Sequence, residues 1–118
     1  MRFNIDPSST AAWKELKFKQ QEISSKTLKK WFHDDPKRFE EFSDEHHGLL
    51  FDYSKNRLDK HTLNLLLRLS EECKVREGID QMFNGENINE TEDRAVLHFA
   101  LRNRSNVPVI HNGKDVMP

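Results

Sequence analysis

Three side chains in the last third of the chain have the types that proton-transfer chemistry uses: Glu92, Arg94 and His98. A carboxylate can act as a base, an imidazole can pass protons, and a guanidinium can hold an anion. The surrounding pattern predicts a helix, and residues six positions apart on a helix, such as Glu92 and His98, project from different faces. The spacing therefore argues against a catalytic triad, and we assign no catalytic residue to this chain.

A metal or phosphate site would need ligands or glycines at a spacing that lets them converge. Glu45, His46 and His47 have the right types, but adjacent side chains point apart on regular backbone. Cys73 follows a leucine-rich helix, where a lone cysteine is usually inert packing. The four glycines are isolated, so no phosphate-binding loop is recognisable. We predict no metal site and no cofactor site.

The composition is that of one small cytoplasmic domain covering residues 1–118. Charged residues make up 33% and hydrophobic residues 35%, and the net charge of −1 gives no footprint for nucleic acid or an anionic membrane. Seven basic and three acidic residues within positions 1–30 fit a solvated helix face better than a nucleic-acid arm. The single cysteine suits a reducing compartment, and no apolar run is long enough to span a bilayer.

Three helices are predicted before residue 43, from apolar residues at helical spacing. The first follows the polar residues 6–10, the second follows Ser24-Ser25, and the third begins at Asp35-Pro36, an N-cap followed by proline. Their apolar residues are Trp13, Leu16, Ile23, Leu28, Trp31, Phe32, Phe39 and Phe42. We interpret the four aromatic residues from 31 to 42 as a local core, because Lys37-Arg38 alone gives thin support for a base-stacking platform.

The next segments predict a strand and two further helices. The polar residues 46–48 end the helical region, and the apolar run Leu49–Tyr53 predicts a buried strand. Asp59 or Thr62 can cap a helix with five leucines, at positions 63, 65, 66, 67 and 69, which predicts cover on most of its circumference. A fifth helix has one apolar stripe, Val75, Ile79, Met82 and Phe83, and Asn84-Gly85 ends it.

Residues 85–104 predict a sixth helix, central to the core. Thr91 would be its N-cap, and Arg94 would form a buried or half-buried ion pair. The residues from 95 to 101 are apolar on more than one side, which predicts burial. Asn112-Gly113, between two β-forming runs, predicts a C-terminal hairpin with a type I′ turn. The predicted fold class is mainly α (α+β), with about six helices, one buried strand and this hairpin.

Several blocks of the sequence resemble the N-terminal region of the glucose-6-phosphate isomerase family. The blocks are DPKRF at 35–39, FS at 42–43, DYSKN at 52–56, MFNG at 82–85, IN at 88–89, TEDRAVLH at 91–98, ALRN at 100–103 and GKDVMP at 113–118. The resemblance is firm from about Trp31 to Pro118 and looser before it. It implies a longer family chain, of which this sequence is the first segment and in which the segment is part of an αβα sandwich.

The resemblance also implies an activity, the interconversion of glucose 6-phosphate and fructose 6-phosphate in glycolysis and gluconeogenesis. The family uses a glutamate base, assisted by histidine, lysine and arginine, and a serine- and threonine-rich loop that grips the phosphate. Those motifs belong to later parts of the family's chain and no block here matches them. We therefore expect residues 1–118 to be inactive alone, with a sugar phosphate as partner only in the full-length, homodimeric enzyme.

The sequence leaves an alternative function open and also predicts exposed apolar surface. A free-standing helical interaction module without enzyme activity is the alternative function. In either case the apolar segments exceed what the other helices can cover, so we expect exposed apolar surface and self-association, a domain-swapped arrangement or marginal stability. We expect Leu65, Leu69 or Phe51 among the exposed groups, and neither nucleic acid nor membrane as a partner.

Overall fold

The computed structural model describes residues 5–117, which divide into two compact units. One unit is Ala11–Leu67, and the other combines residues 5–10 with residues 68–117. Five α-helices and two antiparallel strand pairs lie in the described residues, so the predicted mainly α class is confirmed with one helix fewer. None of the described helices combines the length and apolarity that crossing a bilayer requires.

The helices and strands follow one another in a simple order. The helices are α1 (Ala11–Ile23), α2 (Leu28–Asp34), α3 (Arg38–Glu41), α4 (Lys60–Glu72) and α5 (Val75–Phe83). The strands are β1 (Ser43–His46), β2 (Leu49–Asp52), β3 (Ile110–His111) and β4 (Lys114–Asp115). Two short 3-10 helices, Pro7–Ser9 and Ala100–Arg102, complete the regular structure of the described residues.

Side-chain caps fix where helices α2 and α4 begin. Thr27 Oγ1 accepts the N–H of Lys30 at 3.2 Å, so α2 begins after Thr27 instead of at the predicted Ser24-Ser25. The predicted N-cap at Asp35-Pro36 is wrong: Asp35 Oδ1 accepts the N–H of Lys37 at 3.1 Å in a turn before the helix, and α3 begins at Arg38, after Lys37, without a side-chain cap. Asp59 Oδ1 accepts both the N–H and the hydroxyl of Thr62, each at 2.8 Å, which decides between the two predicted caps of α4.

Strands β1 and β2 form a hairpin that the sequence predicted only in part. Ser43 pairs with Asp52 and His46 with Leu49. The turn residues His47 and Gly48 both have positive φ, 50° and 79°, as a two-residue hairpin loop requires. The strand at Leu49–Asp52 is confirmed, but its predicted burial is wrong: Leu49, Leu50 and Phe51 are exposed. In the described residues β1 is the only strand that pairs with β2, so the strand does not lie inside a multi-stranded sheet.

Helix α5 ends as predicted, at Asn84-Gly85. The N–H of Glu86 donates to Gln81 O at 3.0 Å and that of Gly85 to Met82 O at 3.1 Å, the two bonds of a Schellman cap. Gly85 has φ +73°, and a Cβ on it would overlap the carbonyl oxygen of Ile110. Glycine is therefore required here both for the cap and for a close backbone approach.

The predicted sixth helix is wrong, because residues 89–99 form turns and extended backbone. Asn89 and Arg94 exchange backbone hydrogen bonds of 3.0 and 3.2 Å, and Asn89 Oδ1 accepts the N–H of Glu92 at 3.3 Å. Asp93 has φ 51°, outside the helical region. Asparagine and aspartate compete with helical bonding in this way, and a helix this short is marginal unless packing covers it. Leu101, at 86% exposed, has no such cover.

The C-terminal hairpin is confirmed. Ile110 pairs with Asp115 and His111 with Lys114, and the turn residues Asn112 and Gly113 have φ 49° and 73°. Both values are positive, as the predicted type I′ turn requires. The Asn-Gly pair therefore predicted this local structure correctly.

Within residues 5–117 the buried apolar side chains are few. They are Ala12, Ile23, Phe42, Leu58, Leu65 and Val109. The prediction that Leu65 is exposed is wrong, since only 4% of it is accessible, whereas Phe51 is exposed as predicted and Leu69 is intermediate. Helix α4 is also less covered than predicted, because Leu66 and Leu67 are exposed while Thr62 and Leu65 lie on one buried stripe.

Candidate functional site

Arg38, the first residue of α3, is a buried charged side chain within residues 11–67. Only 3% of it is exposed. Its Nε donates to Ser54 O at 2.7 Å, and its Nη2 donates to Asn56 O at 3.0 Å and to Leu58 O at 2.8 Å. One guanidinium thus satisfies three carbonyl groups of the loop between β2 and α4, which fixes the course of that loop.

Aromatic rings enclose the same guanidinium. Its central carbon lies 4.8 Å from the Trp31 ring centroid, 5.8 Å from that of Phe32 and 4.5 Å from that of Phe42. Burial lowers the pKa of Arg38, and the nearby carboxylates of Asp35 and Asp59 act in the opposite direction. The predicted local core of aromatic residues is therefore built around a cation, and cation–π attraction adds to the three hydrogen bonds.

An open cavity of about 260 Å³ adjoins this cluster. Its walls combine aromatic and charged side chains: Trp31, Asp34, Asp35, Arg38, Glu41, Phe42, Asp59 and Lys60. Several of its charges are already paired, since Lys30 Nζ lies 2.9 Å from Asp34 Oδ2 and Lys60 Nζ lies 3.0 Å from Glu41 Oε1. Such paired charges hold elements together and leave little to act on a substrate.

Asp59 combines a helix cap with an ion pair. Its Oδ2 lies 2.9 Å from Lys19 Nζ of α1. Burial raises the pKa of Asp59, but hydrogen bonds from the Thr62 backbone, Lys19 and the Thr62 hydroxyl outweigh it and lower the pKa to about 2. The pKa of Lys19 is raised by its bonds to Asp59 and Glu22. The carboxylate is therefore ionised at neutral pH and serves structure.

The three residues with proton-transfer types are only partly brought together. Glu92 Oε2 lies 3.3 Å from Arg94 Nη1, and both side chains are exposed, so the predicted burial of the Arg94 ion pair is wrong. His98 lies in an exposed turn, and the contacts found among residues 5–117 do not join it to Glu92 or Arg94. The geometry offers no base and acid acting on one point.

The sequence's other reactive residue types are separated as well. The His46 and His47 rings contact each other at the turn of the first hairpin, with centroids 4.2 Å apart. Among residues 5–117 no group of three histidine, cysteine or carboxylate side chains is placed to hold a metal ion. Cys73, just after α4, is a half-buried free thiol.

A second open cavity, of about 450 Å³, lies within residues 68–117. Its lining is mostly apolar and includes Phe83 and Phe99, whose rings are tilted by 45° with centroids 4.6 Å apart, as well as Val107 and Val109. Arg102 is the only ionisable side chain in the lining. A surface of this kind suits packing against another apolar surface and offers no group for acid–base chemistry.

The role of Arg38 was not predicted from the sequence. Its signal was present, since one arginine stands between the pair Trp31-Phe32 and Phe42, four positions beyond it on the same helical face. The carbonyl partners, 16 to 20 positions away, follow no local pattern. Only the tertiary structure identifies them.

Comparison with known proteins agrees with the resemblance read from the sequence. The family model described as phosphoglucose isomerase matches residues 52–118, more than half of the chain. The glucose-6-phosphate isomerase of Methylococcus capsulatus is 53% identical over 114 residues, which are 95% of this chain and 21% of that protein. The chain thus spans about a fifth of the length of this curated relative. On these matches, the chain belongs to the phosphoglucose isomerase family.

Proposed function

We propose that this chain is the N-terminal part of a glucose-6-phosphate isomerase and that the whole protein interconverts glucose 6-phosphate and fructose 6-phosphate. The observation that carries the proposal is the 53% identity to the Methylococcus capsulatus enzyme over 114 residues. The reaction moves a proton between neighbouring carbons, which requires a carboxylate base and groups that hold the sugar and its phosphate.

Within that protein, residues 1–118 act as scaffold and are inactive alone. The charges of the Arg38 cluster support this role, because they bind backbone carbonyls or one another. The exposed Glu92–Arg94 pair has no proton donor or acceptor opposite it among the described contacts. The base and the phosphate-binding loop then come from the remainder of the protein, which forms the αβα sandwich of the family together with this segment.

The apolar surfaces of the chain suit cover by that remainder. Leu49, Leu50 and Phe51 are exposed in succession on β2, and a two-stranded sheet has little stability by itself. We propose that the rest of the enzyme covers them, in a cytoplasmic homodimer whose substrate is a sugar phosphate. Residues 1–118 alone would then self-associate through the same surfaces.

A free-standing interaction module without activity is the second candidate. The same exposed side chains of β2 favour it, since they are suited to hold a partner protein. The two candidates differ in one expectation: only the first predicts that the segment supports the activity of an isomerase when it is part of one.

A segment exchange tests the proposal. The matched first fifth of the Methylococcus capsulatus enzyme is replaced by residues 1–118, and isomerase turnover is measured in a coupled assay, with the truncated relative as control. We expect an active hybrid, an inactive truncated enzyme, and no turnover by residues 1–118. A hybrid that is folded by circular dichroism but inactive would contradict the scaffold role, and turnover by residues 1–118 would contradict their inactivity.

Sedimentation tests the self-association of residues 1–118. If they sediment as monomers at high concentration, they do not self-associate.

A further inference from the structure

The chain contains two Asn-Gly pairs, Asn84-Gly85 and Asn112-Gly113, in different surroundings. In this dipeptide the backbone nitrogen of glycine can attack the side-chain amide carbon of asparagine, because glycine has no Cβ in the way. The reaction needs a free glycine N–H and a backbone able to change conformation. The two pairs differ in both respects.

Asn84-Gly85 is held in place at the end of α5. The N–H of Asn84 donates to Asp80 O at 3.0 Å, and the attacking nitrogen of Gly85 is itself engaged, donating to Met82 O at 3.1 Å. Gly85 is buried, and its Cα faces the carbonyl of Ile110 too closely to admit even a Cβ. Reaction at Asn84 would require the helix cap to open.

Asn112-Gly113 lies at the tip of the second hairpin, and both residues are exposed. A Cβ on Gly113 would meet no atom within 4 Å. The backbone hydrogen bonds found in residues 5–117 outside helices and strands include none donated by the Gly113 N–H. The hairpin consists of two residue pairs and one further backbone hydrogen bond, from the Val116 N–H to Val109 O at 2.9 Å, and so short a ladder opens most easily at its tip.

The Asn112 side chain is positioned by His111. His111 Nδ1 lies 2.8 Å from Gly85 O, and since a carbonyl only accepts, Nδ1 carries the proton. Nε2 of the neutral ring is then an acceptor, and Asn112 Nδ2 lies 3.1 Å from it. The amide is therefore held at the rim of the hairpin, with its nitrogen toward the imidazole.

We propose that Asn112 is a site of spontaneous deamidation and that Asn84 is protected from it. Gly113 N attacks Asn112 Cγ, and the new N–C bond forms as the Gly113 amide proton passes to solvent. The Cγ–Nδ2 bond then breaks, and the nitrogen takes up a proton from solvent and leaves as ammonia. Water opens the resulting succinimide at either carbonyl, which gives aspartate or isoaspartate at position 112.

The two products affect the hairpin differently. Aspartate keeps the backbone, and Asp-Gly is also compatible with a type I′ turn. A carboxylate cannot donate a hydrogen bond, however, so it cannot replace the amide N–H that now faces the neutral His111 ring. Isoaspartate adds a carbon to the main chain within the two-residue turn, which is incompatible with the pairing of His111 with Lys114.

The two Asn-Gly pairs of one chain make the experiment internally controlled. Purified residues 1–118 are incubated at mildly alkaline pH, sampled over time and digested, and mass spectrometry quantifies conversion at Asn84 and Asn112 in the same sample. The same incubation in denaturant measures both rates without structure. N112D supplies the standard for the aspartate product, and isoaspartate-specific methylation identifies the other.

In the folded chain we expect Asn112 to convert at least roughly tenfold faster than Asn84, because two hydrogen bonds must open before Asn84 reacts. In denaturant the two rates should approach each other. A folded-chain ratio equal to the ratio in denaturant would overturn the proposal. So would faster conversion of Asn84, or no conversion of Asn112 in the time in which the denatured chain reacts.

Discussion

Arg38 in residues 11–67 and Gly85 in residues 68–117 each bring together segments distant in sequence, but by different means. Arg38 does so with a long charged side chain that binds three carbonyl groups and lies between aromatic rings. Gly85 does so by having no side chain, so that the backbone of β3 can approach it closely. The contacts at Arg38 depend on one side chain and its partners. The contact at Gly85 depends on backbone conformation at two turns, Asn84-Gly85 and Asn112-Gly113.

This difference bears on how each part resists mutation. In residues 11–67 much of the specific bonding converges on one guanidinium, so its removal should affect the β2–α4 loop and the aromatic cluster together. In residues 68–117 the exposed apolar residues, such as Leu101, contribute little. The two parts have similar shares of apolar residues, but of the six buried apolar side chains in the described residues five lie in residues 11–67 and one, Val109, in residues 68–117.

Removing Arg38 is the most severe test of the comparison. In Arg38→Ala three buried or partly buried carbonyl groups lose their donor, and breaking such a network costs about 4 kcal/mol. Arg38→Lys should recover less than half of this loss, because one ammonium cannot replace the planar guanidinium at three acceptors. Denaturant unfolding, followed by the fluorescence of Trp13 and Trp31, measures the change.

Arg57→Ala is the matched control, since Arg57 is an exposed arginine in the same unit. Its free energy of unfolding should change by less than about 0.5 kcal/mol. If Arg38→Ala unfolds at the same denaturant concentration as Arg57→Ala, Arg38 does not organise this part of the chain.

A pair of leucines tests where the apolar sequence is used. Leu65→Ala removes a side chain that is 4% exposed and should cost about 3 kcal/mol, whereas Leu101→Ala, at 86% exposed, should cost less than about 0.5 kcal/mol. Both variants are measured by the same unfolding experiment. Equal costs would mean that residues 95–101 are packed in solution as the sequence alone predicted.

The smallest expected effect is the loss of folding stability at acidic pH that is caused by protonation of Asp59. Its pKa is about 2 in the folded chain, against about 3.9 when unfolded, so folding favours the carboxylate. The resulting stability is present above the unfolded pKa and is lost as the pH falls from about 4 toward 2. With 35% of the side chain exposed, we expect roughly 1 kcal/mol.

Unfolding of the native chain and of Asp59→Asn is compared at neutral pH and at acidic pH. The difference in stability between them should shrink as the pH falls through this range. Glu40→Gln, which changes an exposed carboxylate of α3, is the control and should show no such convergence. A difference that is constant with pH would show that the Asp59 charge is unimportant for the cap.

The sequence predicted the features that depend on neighbouring residues. The end of α5 at Asn84-Gly85 and the hairpin at Asn112-Gly113 follow from the backbone freedom of glycine and asparagine. The β1–β2 hairpin was only half predicted, because His47-Gly48 adopts the same kind of turn without the usual asparagine or aspartate.

The errors concern features that depend on distant residues. The helix predicted at 91–101 needed a covering surface that the described chain does not provide, and local bonding by Asn89 prevailed. The roles of Arg38 and of the exposed β2 likewise depend on tertiary partners. The two Asn-Gly turns and most helices could therefore be predicted from the sequence, but the contacts of Arg38 with the aromatic rings and the loop carbonyl groups could not.

The contact between Gly85 and His111 also has a consequence for the order of folding. It closes a loop of 26 residues, at an entropic cost of about 3 kcal/mol, whereas one hydrogen bond returns about 1 kcal/mol. The cap of α5 and the turn of the hairpin, by contrast, each close within a few residues. We therefore expect these two local structures to form first and the long loop between them to close in a late step.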